Sequence, residues 1–406
     1  MTPDRLRVLV LSSTVPYPPY GGGRMRIYQV LRRLGRDHDV DLLALAPPGV
    51  MEPENGLARH CRRVAFVPAP PPRTGVRRWS VALKHLATLT AFDEHPDVRQ
   101  AVVALGDRYD VVVVENVYML PYAAALRDVP TIVDVFGLWA GGVVRDLAAQ
   151  TRWTGRLHVL VTWLKAKRVE RGLRHIVDAV SVVSESDRRY LAAIDPALTI
   201  SVAPNGVDTA LFVPEPESPP PPLSLLFTGA MDYGANEDAV LHFLREIFPL
   251  IRASRPDTRL SIVGRDPRPA VLAHARDPGV TVTGEVADVR PFLARATVVV
   301  VPMRLGSGTR LKILEALAMA RPVVSTRIGV EGIALVPGRH VEVADEPARF
   351  ADAVVRLAND AGARARLGQQ GRALVEAGHD WQAVLSPLAD AVVDVARRRP
   401  RRVCRT

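Results

Sequence analysis

"VPMRLGSGTRLKILEALAMARPVVS", residues 301–325, reads as a short apolar strand, a glycine-spaced loop, a helix and a second strand. Arg310, Lys312 and Glu315 stand in its helical part among Leu, Ile and Ala. In "GSGTRLK" the glycines, Gly308 among them, let backbone N–H groups approach a ligand closely. The helix that follows Thr309 adds the positive end of its dipole. That combination is an anion site. Arg310 and Lys312 bring two full positive charges to its mouth, which match a diphosphate better than a lone carboxylate. Glu315 lies about 9 Å beyond Thr309 along a helix rising about 1.5 Å per residue. A ribose carried by a diphosphate at the loop falls near that depth, and its vicinal hydroxyls can donate to one carboxylate. The same spacing, i to i+3, equally allows a surface ion pair between Lys312 and Glu315.

Working outward, β-branched runs alternate with amphipathic helical segments along nearly the whole chain. The expected strands are "RVLVLSS", "DVDLLALA", "RVAFVPA", "DVVVVEN", "TIVDVF", "AVSVVS" and "TISVAP", then "LSLLFTG", "RLSIVG", "VTVTG", "TVVVVP" and "PVVST". Continuous apolar strands separated by helices require parallel sheets covered on both faces. "VPEPESPPPP", residues 213–222, reads as an extended linker, because its prolines cannot donate ladder hydrogen bonds. The expected fold class is α/β, with two doubly wound, Rossmann-like domains facing across a cleft. The domains are expected at residues 1–212 and 223–380. A helix at 381–396 would pack back on the first, and a basic tail at 397–406 would follow. Ligands of such sheets bind at the strand-to-helix loops beyond the carboxyl ends.

A chain of 406 residues with 48% apolar content supports two cores. Its formal charge of +10 suggests a nucleic-acid partner until it is located. The last ten residues, "RRRPRRVCRT", hold six Arg and no acid, so +4 remains for the rest. The tail reads either as a solvated end or as a contact with an anionic membrane surface. No basic stripe interleaved with aromatics is present, so no nucleic acid is expected. Cys61 and Cys404 suggest neither a disulfide framework nor a zinc cluster. The N-terminal apolar run is too short for a membrane span and lacks a signal-cleavage pattern, so the chain reads as cytoplasmic. "DHDVD", residues 37–41, looks like a metal-binding Asp-x-Asp but stands between a helix and a strand, away from the carboxyl-end loops, and reads as a turn.

"NGVD" at 205–208, "FTGAM" at 227–231 and "LEALAMARPVVS" at 314–325 resemble the family 4 retaining glycosyltransferases, whose fold is glycosyltransferase-B. The branch they resemble is a divergent one, similar to the sugar transferases of bacterial exopolysaccharide systems. The resemblance implies a retaining enzyme that moves a sugar from a nucleotide-diphosphate donor, UDP- or GDP-linked, to a hydroxyl of a glycan, lipid-linked or small-molecule acceptor. It implies no cofactor beyond this co-substrate. It places the glycine loop of "PYPPYGGGRMRIYQVLRRL", with Gly22 and Gly23, over the donor phosphates, while a turn needing positive φ is the plainer explanation. Arg24 and Arg26 would assist or merely solvate the helix. It makes Asp134 in "TIVDVFGLW" a candidate for orienting or deprotonating the acceptor hydroxyl, against a plain backbone-capping carboxylate. It assigns the base-holding loops to "SIVGRDP" and "GEVADV", with Arg265 and Val286 as contacts.

The chain departs from the family pattern in two places. The family pairs two glutamates eight positions apart, and Ser307 replaces the first while Glu315 keeps the second. The Arg and Lys usual after the strand that opens the second domain are Ala230 and Ala235 here. Arg310 and Lys312 are therefore expected to replace those charges, and with no metal-ligand cluster the enzyme is expected to be metal-independent. The rival readings are a nucleotide-sugar epimerase or hydrolase of the same fold and a non-catalytic basic peripheral-membrane protein.

Overall fold

The structure, a computed structural model, describes residues 5–19, 21–47, 55–69, 95–105, 109–126, 129–136, 153–215, 223–306 and 308–398. The chain divides into two compact units, Met1–Pro204 with Leu385–Thr406, and Asn205–Val384.

The first unit is built on seven strands: β1 (Arg7–Ser12), β2 (Asp39–Ala46), β3 (Arg63–Pro68), β4 (Val111–Glu115), β5 (Thr131–Val135), β6 (Ala179–Val182) and β7 (Ile200–Val202). Every pairing is parallel, in the order β3-β2-β1-β4-β5-β6-β7. The central strands are Val- and Leu-rich and buried on both faces, as a sheet covered by helices on each side demands. One of those helices comes from the far end of the chain. Ser386–Arg398 buries Leu388, Ala389, Val392 and Val395, a helical stripe, against β4 to β7.

The second unit holds β8 (Ser224–Thr228), β9 (Arg259–Val263), β10 (Val280–Gly284), β11 (Val298–Val301), β12 (Val323–Ser325) and β13 (Glu342–Val343). They are all parallel, in the order β10-β9-β8-β11-β12-β13. Helix Pro347–Asn359 turns Phe350, Ala351, Val354 and Leu357 inward, and Phe350 meets Phe243 edge-on at 6.0 Å between ring centroids. In each sheet the strand order reverses once, between β1 and β4 and between β8 and β11, and the loops beyond those carboxyl ends form the natural crevice.

The boundary between the units falls at Pro204, before the expected residue 212. "NGVD" joins the second unit because its backbone is paired there. Val207 donates to the His379 carbonyl at 2.8 Å, and Arg372 holds the carbonyl oxygens of Thr209 and Phe212. Residues 216–222 of the proline-rich segment and 399–406 of the basic tail lie outside the described residues, as do Ser307 and Cys404. Among the described residues no helix is long and apolar enough to cross a membrane.

Candidate functional site

The loops after β8 and β11 meet at the second unit's reversal point. β8 is followed by Gly229, whose φ of 153° is one that side-chain-bearing residues rarely adopt. A Cβ there would lie 2.8 Å from Lys312 Nζ and 2.7 Å from Asn236 Nδ2, so the missing side chain leaves the space that the lysine fills. Gly264, at the end of β9, packs still closer: a Cβ would stand 1.8 Å from the Gly229 carbonyl oxygen.

Lys312, in the first turn of helix Leu311–Ala318, is buried. It donates to Asn236 Oδ1 at 2.9 Å and stands 3.9 Å above the Phe227 ring. Arg310 is also buried and is clasped by its own loop, donating to the carbonyls of Gly308 at 2.7 Å and Leu305 at 3.4 Å. A Cβ on Gly306 would be 3.1 Å from the Arg310 guanidinium, 3.0 Å from Tyr233 Oη and 3.3 Å from Ala235 Cβ. The two cations thus converge on the segment that carries Ala230 and Ala235.

The surface ion pair that helical spacing allowed between Lys312 and Glu315 does not form. Lys312 is drawn to Asn236 instead, and the Glu315 carboxylate, half-buried, makes no hydrogen bond or ion pair among the described residues. Burial lowers the Lys312 pKa to about 7, with Arg310's charge acting the same way and Glu315 opposing. Burial raises Glu315 to about 7, against the pull of Lys312. An acid and a base both poised near neutrality beside a buried guanidinium form a cluster held at an energetic cost.

The base-contact assignments fare differently. Arg265 is bound by Asp232 at 3.2 Å and Asp266 at 2.9 Å, so its charge is already matched, and Val286 packs against the core. Thr309 is half-buried, with its hydroxyl buried and unpartnered. Gly308 adopts φ 81° just ahead of the helix.

In the first unit, Gly21 at φ 84° precedes helix Gly22–Asp37, so Gly22 and Gly23 form its first turn. Two expectations need correction here. Arg26 does not solvate that helix: it is fully buried and grips Asp134 through Nε–Oδ2 at 2.6 Å and Nη2–Oδ1 at 2.7 Å. Asp134 is accordingly no acceptor-facing base and no backbone cap, because it is fully buried with both oxygens taken by one guanidinium. Beside it in register lies Glu115, fully buried, with neither carboxylate oxygen hydrogen-bonded among the described residues. Burial first, then the Asp134 charge, pushes its pKa well up, while Arg26 opposes. The sequence offered a signal for this residue, an acid at the end of a Val run beside Asp134's strand. "DHDVD" is structural: Asp41 accepts from Arg62 at 2.6 Å and from Tyr109 at 2.9 Å. Among the described residues no group of three His, Cys, Asp or Glu is placed to hold a metal ion. Cys61 is a buried free thiol whose pKa burial pushes up to about 12.

Residues 20–211 match the model of Glycosyltransferase Family 4, and residues 222–360 that of Glycosyl transferases group 1. An uncharacterized 44.6 kDa protein in the cps region of Klebsiella pneumoniae is 20% identical over 399 residues, 94% of this chain and 98% of its own. A GDP-mannose-dependent alpha-(1-6)-phosphatidylinositol monomannoside mannosyltransferase of Mycobacterium tuberculosis is 28% identical over 305 residues, 63% of this chain and 75% of its own. Among solved structures, the sucrose-phosphate synthase of Thermosynechococcus elongatus aligns with a TM-score of 0.70 at 21% identity, over 97% of this chain and 99% of its own. Anabaena HepE in complex with UDP-glucose aligns with a TM-score of 0.67 at 14% identity, over 96% and 100%. These two likenesses show the fold.

Proposed function

We propose that this chain, which belongs to the family 4 glycosyltransferases and has their glycosyltransferase-B fold, transfers a sugar with retention from a UDP- or GDP-linked donor to a hydroxyl acceptor. The observation that carries this reading is the convergence of Arg310 and Lys312 on the loops after β8 and β11, one helical turn from an unpartnered Glu315.

A nucleoside diphosphate seated there meets the N-terminus of helix Leu311–Ala318 with its phosphates and Glu315 with its ribose. Negative charge grows on the diphosphate as the glycosidic bond breaks, and two cations held in place by the surrounding loops stabilise that charge most where it is largest. The acceptor hydroxyl then attacks the face that the diphosphate leaves and passes its proton to the departing diphosphate oxygen, so no nucleophilic carboxylate is needed. The cations do this work without a metal, and turnover in excess EDTA checks that part. Asp134 serves the first unit by fixing Arg26. Similarity to a GDP-mannose-dependent enzyme and to a structure holding UDP-glucose supports a nucleotide-sugar donor and leaves the base and sugar open.

The deciding experiment is thermal stabilisation of the full chain by a panel of nucleotide sugars, since a ligand bound to the folded state raises its apparent stability by mass action. It is followed by incubation of the stabilising donor with and without acceptors. Release of nucleoside diphosphate and free sugar without any acceptor dependence would instead identify a hydrolase, and stabilisation by none of the panel would overturn the reading.

A further inference from the structure

We infer that Asn236 is a positioning residue that pins the Lys312 ammonium over the end of β8, restoring through a side chain from another segment the cation that Ala230 and Ala235 do not supply. The inference rests on the reading of Lys312 as a diphosphate contact and adds what holds it there.

The geometry leaves the amide one orientation. Asn236 is buried in helix Gly234–His242, and its Nδ2 donates to the Ala230 carbonyl at 2.8 Å. A carbonyl oxygen only accepts, so Oδ1 must point the other way, and there it receives Lys312 Nζ at 2.9 Å. An ammonium carries three N–H donors. One is spent on Oδ1, and the Phe227 ring, 3.9 Å from Nζ, faces the charge itself. Gly229, without a side chain, leaves the space that Nζ and the Asn236 amide occupy.

Without Oδ1 a four-carbon side chain would have several rotamers and a buried charge without an acceptor. With it, the ammonium is held before any ligand arrives, and little ordering remains to be done on binding. The charges that act on Lys312 are Arg310 and Glu315. Glu237 and Asp238, on the same helix as Asn236, are engaged by Arg268 at 2.8 Å and Arg304 at 2.6 Å.

The test is a double-mutant cycle on the full chain, with UDP and GDP titrated calorimetrically into wild type, Asn236→Ala, Lys312→Met and the double variant. If Asn236 acts through Lys312, Asn236→Ala weakens diphosphate binding about tenfold in the wild-type background and less than about twofold in the Lys312→Met background. An equal loss in both backgrounds would make Asn236 a structural residue of its own helix and overturn the proposal. A second readout needs no nucleotide: the pH dependence of Lys312 acylation, followed by mass spectrometry. Its midpoint should fall in Asn236→Ala, which loses the acceptor, and rise in Asn236→Asp, which places a carboxylate there. A midpoint unmoved in both variants rejects the positioning role. Should neither diphosphate bind wild type, the proposed function fails while the acylation midpoints still decide Asn236.

Discussion

Replacing Lys312 by Met separates a lysine kept for function from one kept for stability. The Lys312 pKa drops from its ordinary 10.5 to about 7, so the folded chain forgoes the proton that the unfolded chain still binds. The proton-linked cost is roughly 5 kcal/mol at and below neutral pH, taking about 1.4 kcal/mol per pKa unit. It is small above pH 10.5, grows as pH falls toward 7 and is constant below that. Methionine has a similar length and suits an apolar slot. The exchange leaves Asn236 Oδ1 without its donor, at about 1–3 kcal/mol, and gives up the contact with the Phe227 ring, at about 1–2 kcal/mol. The variant should therefore be more stable than wild type by up to about 3 kcal/mol near pH 6, and the advantage should vanish by about pH 9. Guanidinium unfolding of the full chain at the two pH values measures this, and UDP and GDP titrations should show binding weakened but still measurable. A variant less stable than wild type by the same margin at both pH values would refute the reasoning, because Lys312 would then be a net structural support.

Glu315→Gln should weaken UDP or GDP binding about 10- to 100-fold with the fold intact, as expected for an acceptor bond from a charged group; unchanged affinity in the soluble variant removes the ribose assignment. Its stability should also gain on wild type as pH rises from about 4.5 to about 7, the window in which the raised Glu315 pKa costs the folded state. Nucleotide affinity in wild type should be bell-shaped around pH 7, lost on the acid side as Glu315 protonates and on the alkaline side as Lys312 deprotonates; a flat profile from pH 5.5 to 8.5 would disconnect both groups from the ligand. Arg310→Ala should lower turnover about 100- to 1000-fold, more than it lowers donor affinity, if its charge acts mainly on the departing diphosphate; equal losses in the two would make it a ground-state contact. Arg26→Met should destabilise the chain by about 3–5 kcal/mol, because Asp134 is left buried and uncompensated beside Glu115, and Arg26→Met/Asp134→Leu should recover most of that; a single variant within about 1 kcal/mol of wild type would show the pair to be dispensable.

The strands and the fold class were legible in the sequence because a parallel sheet covered on both faces makes each central strand continuously apolar. "DVVVVEN" and "TVVVVP" admit little else between helical segments. The strand Glu342–Val343 was not legible, since a two-residue edge pairing leaves no pattern to read. The glycine loop, Arg310, Lys312 and Glu315 were also open to reading, because a glycine turn and the helix it feeds are contiguous in the chain. What those charges touch was decided only by tertiary structure. Lys312 meets Asn236 across 76 positions, and the meeting replaces the local pair with Glu315 that helical spacing allowed. Arg26 looks like one more arginine on a solvated helix until β5 brings Asp134 to it across 108 positions, which turns an exposed charge into a buried clasp. "NGVD" likewise belongs to the second unit only because residues near 380 return to pair with it. Local pattern determines which element forms and which face it buries. The partner of a buried charge depends on which distant segments the sheet order brings alongside, and that order is not written in any one of them.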